Sequence, residues 1–524
     1  MVLDNKESGG GAAKTVGIMA VIIFLAKFMG LLRETLIANI YGQGYNSDVL
    51  NTATQIPLLF FDMTLGIAIL STFVPVFNKF LEQDGRERAE KFAASFISAV
   101  VLIAAAASFF GMVFSKQIVK IMVPGYEAEK IAETARLLRL LFPATVFTAA
   151  AYVAVGLLQS FGEFNIPSLI SFVSNLIMIA YLLTFKNRFG LTGVTLSMLA
   201  AWAAQLFFQL PALKKKGFKL RLCLNFKEEG LKEAAALALP VLISSWVQPL
   251  CTVINMSFGS ALGDGAVSGL NWANKIYIIM VGVFAYAVTN FIFPKLSRMS
   301  AGKEGGFEET TKASLSWIIF IIAYISAMFI ALSNPVIKVV FERGEFTAEN
   351  TALTSTALLY YSFGMVGYAI CEVLNKSFYA LRDGKTPMFT SVMGVLVNFA
   401  TAFIFVKLFK MGVGGLALAS AVSSVSIACA LLFVINRKKP GTVTAEFMLN
   451  FGKTLVCAAL AAVCAKAVYS ALSGFGSGGA VLTFAKLCLS ALPASVVYGA
   501  FGALLKTNET AYIISLIRRK KANG

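Results

Sequence analysis

The chain has 524 residues, of which 58% are hydrophobic and only 14% are charged, and its formal net charge is +18. Soluble domains carry about a quarter charged residues, so a chain this apolar could not cover a soluble surface with polar groups. There is no histidine, which excludes histidine-based acid–base chemistry and histidine metal ligands, and the seven cysteines lack the CxxC spacing of a metal or redox site.

The predicted secondary structure is a series of membrane-spanning helices. Apolar runs of about twenty residues recur along the chain, and each is long enough to cross a hydrocarbon core roughly 30 Å thick. Backbone polar groups must be paired internally in lipid, so such runs indicate helices rather than barrel strands. The sequence therefore predicts an all-α integral membrane protein of about fourteen transmembrane helices. The predicted spans are 15–41, 50–78, 92–115, 134–160, 166–185, 190–213, 233–260, 267–293, 314–333, 351–378, 388–407, 412–435, 450–471 and 480–505.

The basic residues indicate the orientation of these spans. Most Lys and Arg lie in short loops on alternate sides of the predicted helices, which is the positive-inside pattern. Segments such as 79–91, 214–232, 437–439 and 518–521 then face the cytoplasm, together with both termini. The positive charge is thereby explained as a topology signal, and we expect no nucleic-acid partner.

Two halves of the chain resemble each other at a nearly constant spacing. FVPVFNKF ends the second predicted span and FIFPKLSR ends the eighth, so that Pro75 corresponds to Pro294. At almost the same offset, Pro167 near the start of the fifth span corresponds to Pro387 near the start of the eleventh, and matches that agree on one offset indicate an internal repeat. Six helices per repeat is an even number, so both halves enter the membrane in the same direction, which predicts parallel repeats with a substrate path between them.

The repeat divides the chain into two lobes and an appendage without a counterpart. The predicted segments are a cytoplasmic N-terminal segment (1–14), an N-lobe of helices 1–6 (15–213), a cytoplasmic linker (214–232), a C-lobe of helices 7–12 (233–436), the appended helices 13 and 14 (450–505) and a basic cytoplasmic tail (506–524).

Charged residues inside the predicted spans are the candidate site. Ionisable groups are costly in the hydrocarbon region and usually face a cavity, a partner or a pathway. Lys27 and Arg33 lie in the first span and Lys275 lies in the eighth, which favours a cationic central cavity over internal ion pairs with Glu34 and Asp62. A cationic cavity fits an anionic substrate, for which phosphate is the natural candidate.

Several motifs together carry a family resemblance that runs in order from about residue 15 through the twelfth span. These motifs are KFMGLLRETLIANIYGQGYNSD (27–48), IPLLFFDMTLGIAILSTFVPVF (56–77), GLLQSFGEFNIPSL (156–169), SGLNWANKIYIIMVGVFAYAVTNFIFPKLS (268–297), FERGEFT (341–347) and NKSFYALRDGKTP (375–387). The chain resembles the MurJ/MviN lipid II flippases. The resemblance implies the fold of the multidrug/oligosaccharidyl-lipid/polysaccharide exporter superfamily, with two six-helix lobes around a V-shaped cavity and a groove for the polyprenyl tail at 450–505.

The resemblance also implies roles for individual residues. Arg33, followed by the acidic Glu34, matches a cavity arginine of the family, and Lys27 and Lys275 fall where many members have arginine. Asp48 matches an acidic residue after the family's Gly-x-Gly turn.

Two positions depart from the family pattern. Asp62 lies in a region where some members carry an arginine, and Asn255 lies where some carry an acidic residue linked to sodium binding. We expect Asp62 either to exchange between a cavity cation and the substrate, or to form a permanent pair or a water-lined carboxylate without a role in transport. The departures leave the coupling ion open.

The resulting functional prediction is a flippase that moves undecaprenyl-pyrophosphate-linked muropeptide to the outer leaflet for peptidoglycan synthesis. Lys27, Arg33 and Lys275 would bind the pyrophosphate, with no catalytic residue, metal or cofactor, and Na⁺, H⁺ or the membrane potential would drive transport. Expected partners are lipid II, membrane lipids and cell-wall synthesis proteins, and we expect a monomer in the bacterial inner membrane. The alternatives are an exporter of another lipid-linked glycan or a drug and, with weaker support, a polyprenyl-phosphate membrane enzyme.

Overall fold

The computed structural model describes residues 8–59, 66–218, 223, 225, 228–245, 247–300, 306–474 and 479–522. These residues form two compact units, 1–264 and 265–524, and contain no β-strand. The helices of the first unit are α1 (Ser8–Tyr41), α2 (Tyr45–Pro57), α3 (Ile67–Gln83), α4 (Arg86–Val113), α5 (Ser115–Met122), α6 (Ala128–Leu141), α7 (Ala144–Ser160), α8 (Asn165–Phe185), α9 (Gly190–Lys215), α10 (Glu229–Ser245) and α11 (Val247–Ser260).

The second unit is likewise helical throughout its described residues. Its helices are α12 (Ala266–Ser300), α13 (Phe307–Phe341), α14 (Ala348–Ser362), α15 (Met365–Ala380), α16 (Lys385–Phe403), which continues into a π-helical turn (Ile404–Leu408), α17 (Gly412–Lys438), α18 (Ala445–Ser473), α19 (Ala480–Leu504) and α20 (Asn508–Ala522).

Ten helical segments in the described part of the chain are long and apolar enough to cross a membrane, and the bent pair α14–α15 makes an eleventh. Each coincides with a predicted span, namely the third to sixth and the eighth to fourteenth. The all-helical membrane fold is therefore confirmed. The other three predicted spans, 15–41, 50–78 and 233–260, include residues that are not described or are described by backbone alone, so the total of fourteen stays a prediction.

The sequence repeat has a counterpart in the positions of the helix breaks. In the first unit α6 and α7 meet at Phe142 and Pro143, and in the second unit α14 and α15 meet at Phe363 and Gly364, with a bend of 49°. A Cβ atom at Gly364 would lie 2.6 Å from the Cα atom of Ala421, so the bend brings α14 and α15 against α17 at a distance that only glycine allows.

The same helix pairs pack together within each unit. In the first unit α7 and α8 pack against α9, and α3 packs against α7; in the second unit α15 and α16 pack against α17, and α12 packs against α15. Two halves that derive from one repeated unit would share this order of packing, as the repeat in the sequence predicts.

Helices α10 and α11 pack with the first unit. α10 lies against α3 and α4, where the ammonium group of Lys79 is 3.0 Å from a carboxylate oxygen of Glu233, and Arg88 forms an ion pair with Glu228. The sequence repeat assigns 233–260 to the second lobe, and those lobe boundaries stay a prediction. Of the predicted linker, residues 219–222, 224, 226 and 227 lie outside the described residues, as do residues 1–7 of the predicted N-terminal segment.

The appended helices α18 and α19 pack against α13. The hydroxyl of Tyr498 on α19 donates to the carbonyl oxygen of Phe320, 2.7 Å away, and the hydroxyls of Tyr324 and Ser495 are also 2.7 Å apart. The rings of Tyr498 and Phe320 lie 4.8 Å apart between centroids. These contacts fix α19 along α13 within the second unit. The polyprenyl-tail groove predicted for 450–505 stays a prediction.

Candidate functional site

Arg33, the central candidate residue, lies on α1 with its guanidinium group held from two sides. One terminal nitrogen is 2.5 Å from a carboxylate oxygen of Glu34, the next residue along the helix. The other donates to the side-chain oxygen of Asn175 on α8, 2.9 Å away, and lies 3.9 Å from the sulfur of Met178. Because α1 packs along α8, an arginine on this face is clamped between a carboxylate and an amide.

The surroundings of Arg33 leave part of its hydrogen-bonding capacity unused. A guanidinium group carries five N–H donors, and the contacts with Glu34, Asn175 and Met178 use three of them. Its Nε atom is buried and has no hydrogen-bond partner, while the side chain as a whole is 26% exposed. Arg33 is therefore fixed in direction and partly exposed, and a guanidinium group held in this way suits recognition of a phosphate group.

Glu34 is buried beside Arg33 and pairs with it, which is the internal ion pair that the sequence analysis considered and favoured less than a cationic cavity. Its side chain is 7% exposed, and a buried carboxylate needs a close cation to offset its desolvation. The pair makes this part of α1 locally neutral, so an incoming anion would compete with Glu34 for the guanidinium group.

Lys27 and Lys275 are each half-buried, on α1 of the first unit and on α12 of the second. Lys27 lies six residues before Arg33 on the same continuous helix, which corresponds to roughly 9 Å along the axis. Both lysines have polar or ring contacts of their own. The joint role of the three cations stays a prediction.

Asp48 belongs to a second charged cluster. It lies in the first turn of α2, is fully buried, and its carboxylate is 2.9 Å from the ammonium group of Lys130 on α6. The same ammonium group is 2.6 Å from a carboxylate oxygen of Asp264, in the loop after α11. We call Asp48, Lys130 and Asp264 the Lys130 cluster. It joins three segments of the first unit that are far apart in sequence.

Aromatic rings enclose the Lys130 cluster. The ammonium group of Lys130 lies 4.2 Å from the ring centroid of Tyr126 and 5.4 Å from that of Tyr45, both within range of a cation–π interaction. The hydroxyl of Tyr126 is 3.0 Å from that of Thr52. Burial and the neighbouring carboxylate of Asp48 raise the pKa of Tyr126 far above its ordinary value, and burial together with Glu133 raises the pKa of Tyr45 to about 12. Both phenols therefore stay neutral at physiological pH.

Backbone contacts hold the end of α11 beside this cluster. The amide of Gly125 donates to the hydroxyl of Ser260, 3.0 Å away. A Cβ atom at position 125 would lie 2.5 Å from the backbone nitrogen of Ala261, so any other residue would push the two segments apart. The position of Asp264 opposite Lys130 thus depends on a close backbone approach as well as on charge.

The two other candidate residues, Asn255 and Asp62, are not placed with Arg33 or with the Lys130 cluster. Asn255 lies on α11 and is half-buried, and Asp62 lies outside the described residues. Their predicted supporting or gating roles stay predictions.

Sequence reasoning missed Asn175, Lys130 and Asp264. Asn175 carried a usable signal, because it is a polar residue in the middle of the apolar run 166–185. Lys130 carried none, since it follows two acidic residues, Glu127 and Glu129, just before a predicted span and resembles an ordinary interfacial charge. Its burial depends on Asp48, 82 residues away.

The family can be assigned from a sequence comparison. The sequence model of the family described as "Lipid II flippase MurJ" matches residues 37–487. The chain belongs to the lipid II flippase MurJ family. A flippase family moves a lipid without making or breaking a covalent bond, so this chain is a transporter and not an enzyme. The match begins shortly after Arg33 and does not include Lys27, Arg33 or Glu34. The roles of these three residues are therefore argued from α1 and not from the family match.

Individual relatives agree with this assignment. The lipid II flippase MurJ of Burkholderia cenocepacia is 27% identical over 452 residues, which cover 83% of this chain and 86% of the relative. The fold is similar to a solved structure of "Lipid II flippase MurJ, inward closed conformation", with a TM-score of 0.78, 22% identity, and coverage of 93% of this chain and 99% of that one.

The fold is also similar to an inward-facing multidrug resistance MATE family transporter of the MOP superfamily. The TM-score is 0.68 at 15% identity, over 82% of this chain and 99% of that one. The expected superfamily fold is therefore found, and the chain is a multi-pass membrane protein of a flippase family.

Proposed function

We propose that this chain moves lipid II, an undecaprenyl-pyrophosphate-linked muropeptide, from the cytoplasmic to the outer leaflet of the bacterial inner membrane for peptidoglycan synthesis. The observation that carries the proposal is Arg33, a partly exposed arginine that is held in a fixed direction on the first helix of a MurJ-family chain. A diphosphate offers several acceptor oxygens to such a group, and arginine can bind two of them side by side.

Lys27 and Lys275 supply the remaining positive charge in this proposal. Lysine is a compact point charge without the planar fork of arginine, so these two residues would neutralise the pyrophosphate while Arg33 orients it. Glu34 would release part of its hold on Arg33 when the substrate arrives, because the substrate carries more negative charge than one carboxylate.

Transport would proceed by alternating access, with both termini in the cytoplasm. Two bends support the conformational part of the proposal. The α14–α15 junction bends by 49°, and α13 has a non-helical residue, Leu332, three positions before Pro335, which cannot donate a backbone hydrogen bond. The polyprenyl tail would lie along α18 and α19, which carry many exposed apolar side chains, including Val463, Val481 and Val496.

The driving force belongs to the proposal as well. Na⁺, H⁺ or the membrane potential would supply it, and moving one charge through 100 mV is worth about 2.3 kcal/mol. The protein would act as a monomer with lipid II as its substrate, in contact with membrane lipids and cell-wall synthesis proteins.

Binding measurements test the pyrophosphate site. The full chain is purified in detergent and titrated with lipid II, with undecaprenyl phosphate as a monophosphate competitor. We expect lipid II to bind more tightly than the monophosphate, and Arg33→Ala to weaken lipid II binding by tenfold or more. Lys186→Ala, which removes an exposed charge outside the spans, should leave the affinity unchanged. Equal affinity of wild type and Arg33→Ala for lipid II would contradict the proposal that Arg33 binds the pyrophosphate.

A further inference from the structure

Asn175 is a buried polar residue in the middle of α8, an apolar helix. An amide placed there must satisfy its donor and its acceptor groups within the protein, because lipid offers no partners. Asn175 does so with three separate groups, two of which belong to α1.

The donor end of the amide fixes its orientation. The Nδ2 atom donates to the carbonyl oxygen of Ser171 one turn earlier, 2.8 Å away, and approaches the carbonyl oxygen of Ala26 on α1 at 3.4 Å. Reversing the amide would place its oxygen against two carbonyl oxygens, which are acceptors only. It would also place its NH₂ group against the guanidinium group, which is a donor only, so neither end could form a hydrogen bond.

The acceptor end is thereby directed at Arg33. The Oδ1 atom lies 2.9 Å from a terminal nitrogen of the guanidinium group, opposite the contact with Glu34. A Cβ atom at Gly30 would lie 3.6 Å from Nδ2 of Asn175, an ordinary contact, so this approach does not depend on glycine at that position.

The two partners of Arg33 differ in what they do to its charge. Glu34 neutralises the guanidinium group, whereas Asn175 holds it with a neutral oxygen and adds no further negative charge. A second carboxylate at this position would bind Arg33 more strongly but would repel a phosphate. A neutral acceptor that is itself fixed by two carbonyl oxygens gives direction without that repulsion.

We infer that Asn175 is a positioning residue for Arg33: it sets the direction of the guanidinium group for a lipid-linked pyrophosphate without placing a second negative charge beside it. This inference rests on the proposed function, and in particular on Arg33 as a pyrophosphate ligand. Asn175 acts through Arg33 and need not touch the substrate.

A double-mutant cycle between positions 175 and 33 tests the inference. Lipid II binding to the full chain in detergent is measured for wild type, Asn175→Ala, Arg33→Ala and the double variant, with the thermal unfolding midpoint recorded for each. Asn175→Ala should weaken lipid II binding about tenfold, the size expected for loss of one hydrogen bond to a charged group. In the Arg33→Ala background the same substitution should change binding less than twofold, because the group that it positions is gone.

The thermal midpoint separates this role from a purely structural one. The contacts of Asn175 with Ser171 and Ala26 do not depend on Arg33, so the stability loss from Asn175→Ala should persist in both backgrounds while the binding loss does not. Ser174→Ala is the matched control, since Ser174 is buried next to Asn175 and its hydroxyl donates only within its own helix. This control should leave lipid II binding at the wild-type level.

A second substitution covers the case in which Asn175→Ala does not fold. Asn175→Ser keeps a hydroxyl that can donate to its own helix but is too short to reach Arg33, and it should show the same tenfold loss. Wild-type binding by a folded Asn175 variant, or an equal loss in both Arg33 backgrounds, would overturn the inference and leave the proposed function standing. If Arg33→Ala itself binds lipid II like wild type, the pyrophosphate site fails and the positioning role fails with it.

Discussion

The ammonium group of Lys130 lies 2.9 Å from the carboxylate of Asp48, and both side chains are almost completely buried. Lys130 also reaches Asp264, whose side chain is 61% exposed. The Lys130 cluster therefore has a buried half and a solvent-facing half. The two halves should respond differently to substitution, because breaking a buried ion pair leaves an uncompensated charge whereas an exposed pair contributes little.

We predict that Lys130→Met lowers the stability of the folded chain by about 3–5 kcal/mol, the usual result of removing one partner of a buried pair. Asp264→Asn should cost less than about 1 kcal/mol, because that carboxylate is solvated. The measurement is the thermal unfolding midpoint in detergent. Lys116→Met, which replaces an exposed lysine on the neighbouring α5, is the control. Equal midpoints for Lys130→Met and Lys116→Met would show that the buried carboxylate of Asp48 does not need the charge of Lys130 for the chain to stay folded.

The cations on α1 and α12 should be needed for transport and not for insertion into the membrane. We predict that Arg33→Ala and Lys275→Ala fail to complement a strain depleted of its flippase while reaching near-normal membrane levels. Lys275→Arg should complement, since it keeps the charge and adds donors. Full complementation by Lys275→Ala at low expression would show that Lys275 on α12 is not part of the proposed substrate site.

The loop between α15 and α16 in the second unit should make stability depend on pH. Burial pushes the pKa of Asp383 upward, but hydrogen bonds from Lys438 and Thr386 and the charge of Lys438 outweigh it and hold that pKa below its ordinary value of 3.8. A carboxyl group with a depressed pKa in the folded state stabilises the protein above its unfolded-state pKa, and this contribution is lost as the pH falls through the folded-state pKa.

The expected result is that Asp383→Asn has a lower unfolding midpoint than wild type at pH 7, and that the two midpoints converge below about pH 4. Unfolding scans in detergent across this range measure the effect. The double variant with Lys438→Met should be no less stable than Asp383→Asn alone. A constant difference between wild type and Asp383→Asn at every pH would show that ionisation of Asp383 is not the cause.

Reporter fusions test the predicted topology. Fusions after Lys216 and Arg437 should report a cytoplasmic location, and fusions near Gly263 and Gly476 should report an external one, because an even number of helices separates the members of each pair. A cytoplasmic signal from the Gly263 site would contradict the count of fourteen helices.

The helices could be predicted from sequence because each one is determined by the apolar run of residues that forms it. An apolar run such as 412–435 is long enough to span the membrane by itself, and α17 (Gly412–Lys438) covers it. The two halves could also be matched, because prolines such as Pro167 and Pro387 lie at the start of equivalent helices, α8 and α16.

The contacts of the candidate site could not be predicted, because they join residues that are distant in sequence. Arg33 and Asn175 are 142 residues apart, and Lys130 and Asp48 are 82 apart. Hydropathy places each residue in a span but does not indicate the direction of its side chain. Only the packing of α1 on α8, and of α2 on α6, decides which charged group meets which partner.

The leaflet distribution of lipid II is the most direct test of the proposed flippase function. Cells depleted of their own flippase would express this chain or its Arg33→Ala variant, and lipid II at the outer leaflet would be measured with an externally added enzyme that cleaves it. We predict that the wild-type chain restores externally cleavable lipid II and that Arg33→Ala does not. Lipid II confined to the inner leaflet despite normal membrane levels of the wild-type chain would contradict the proposed function.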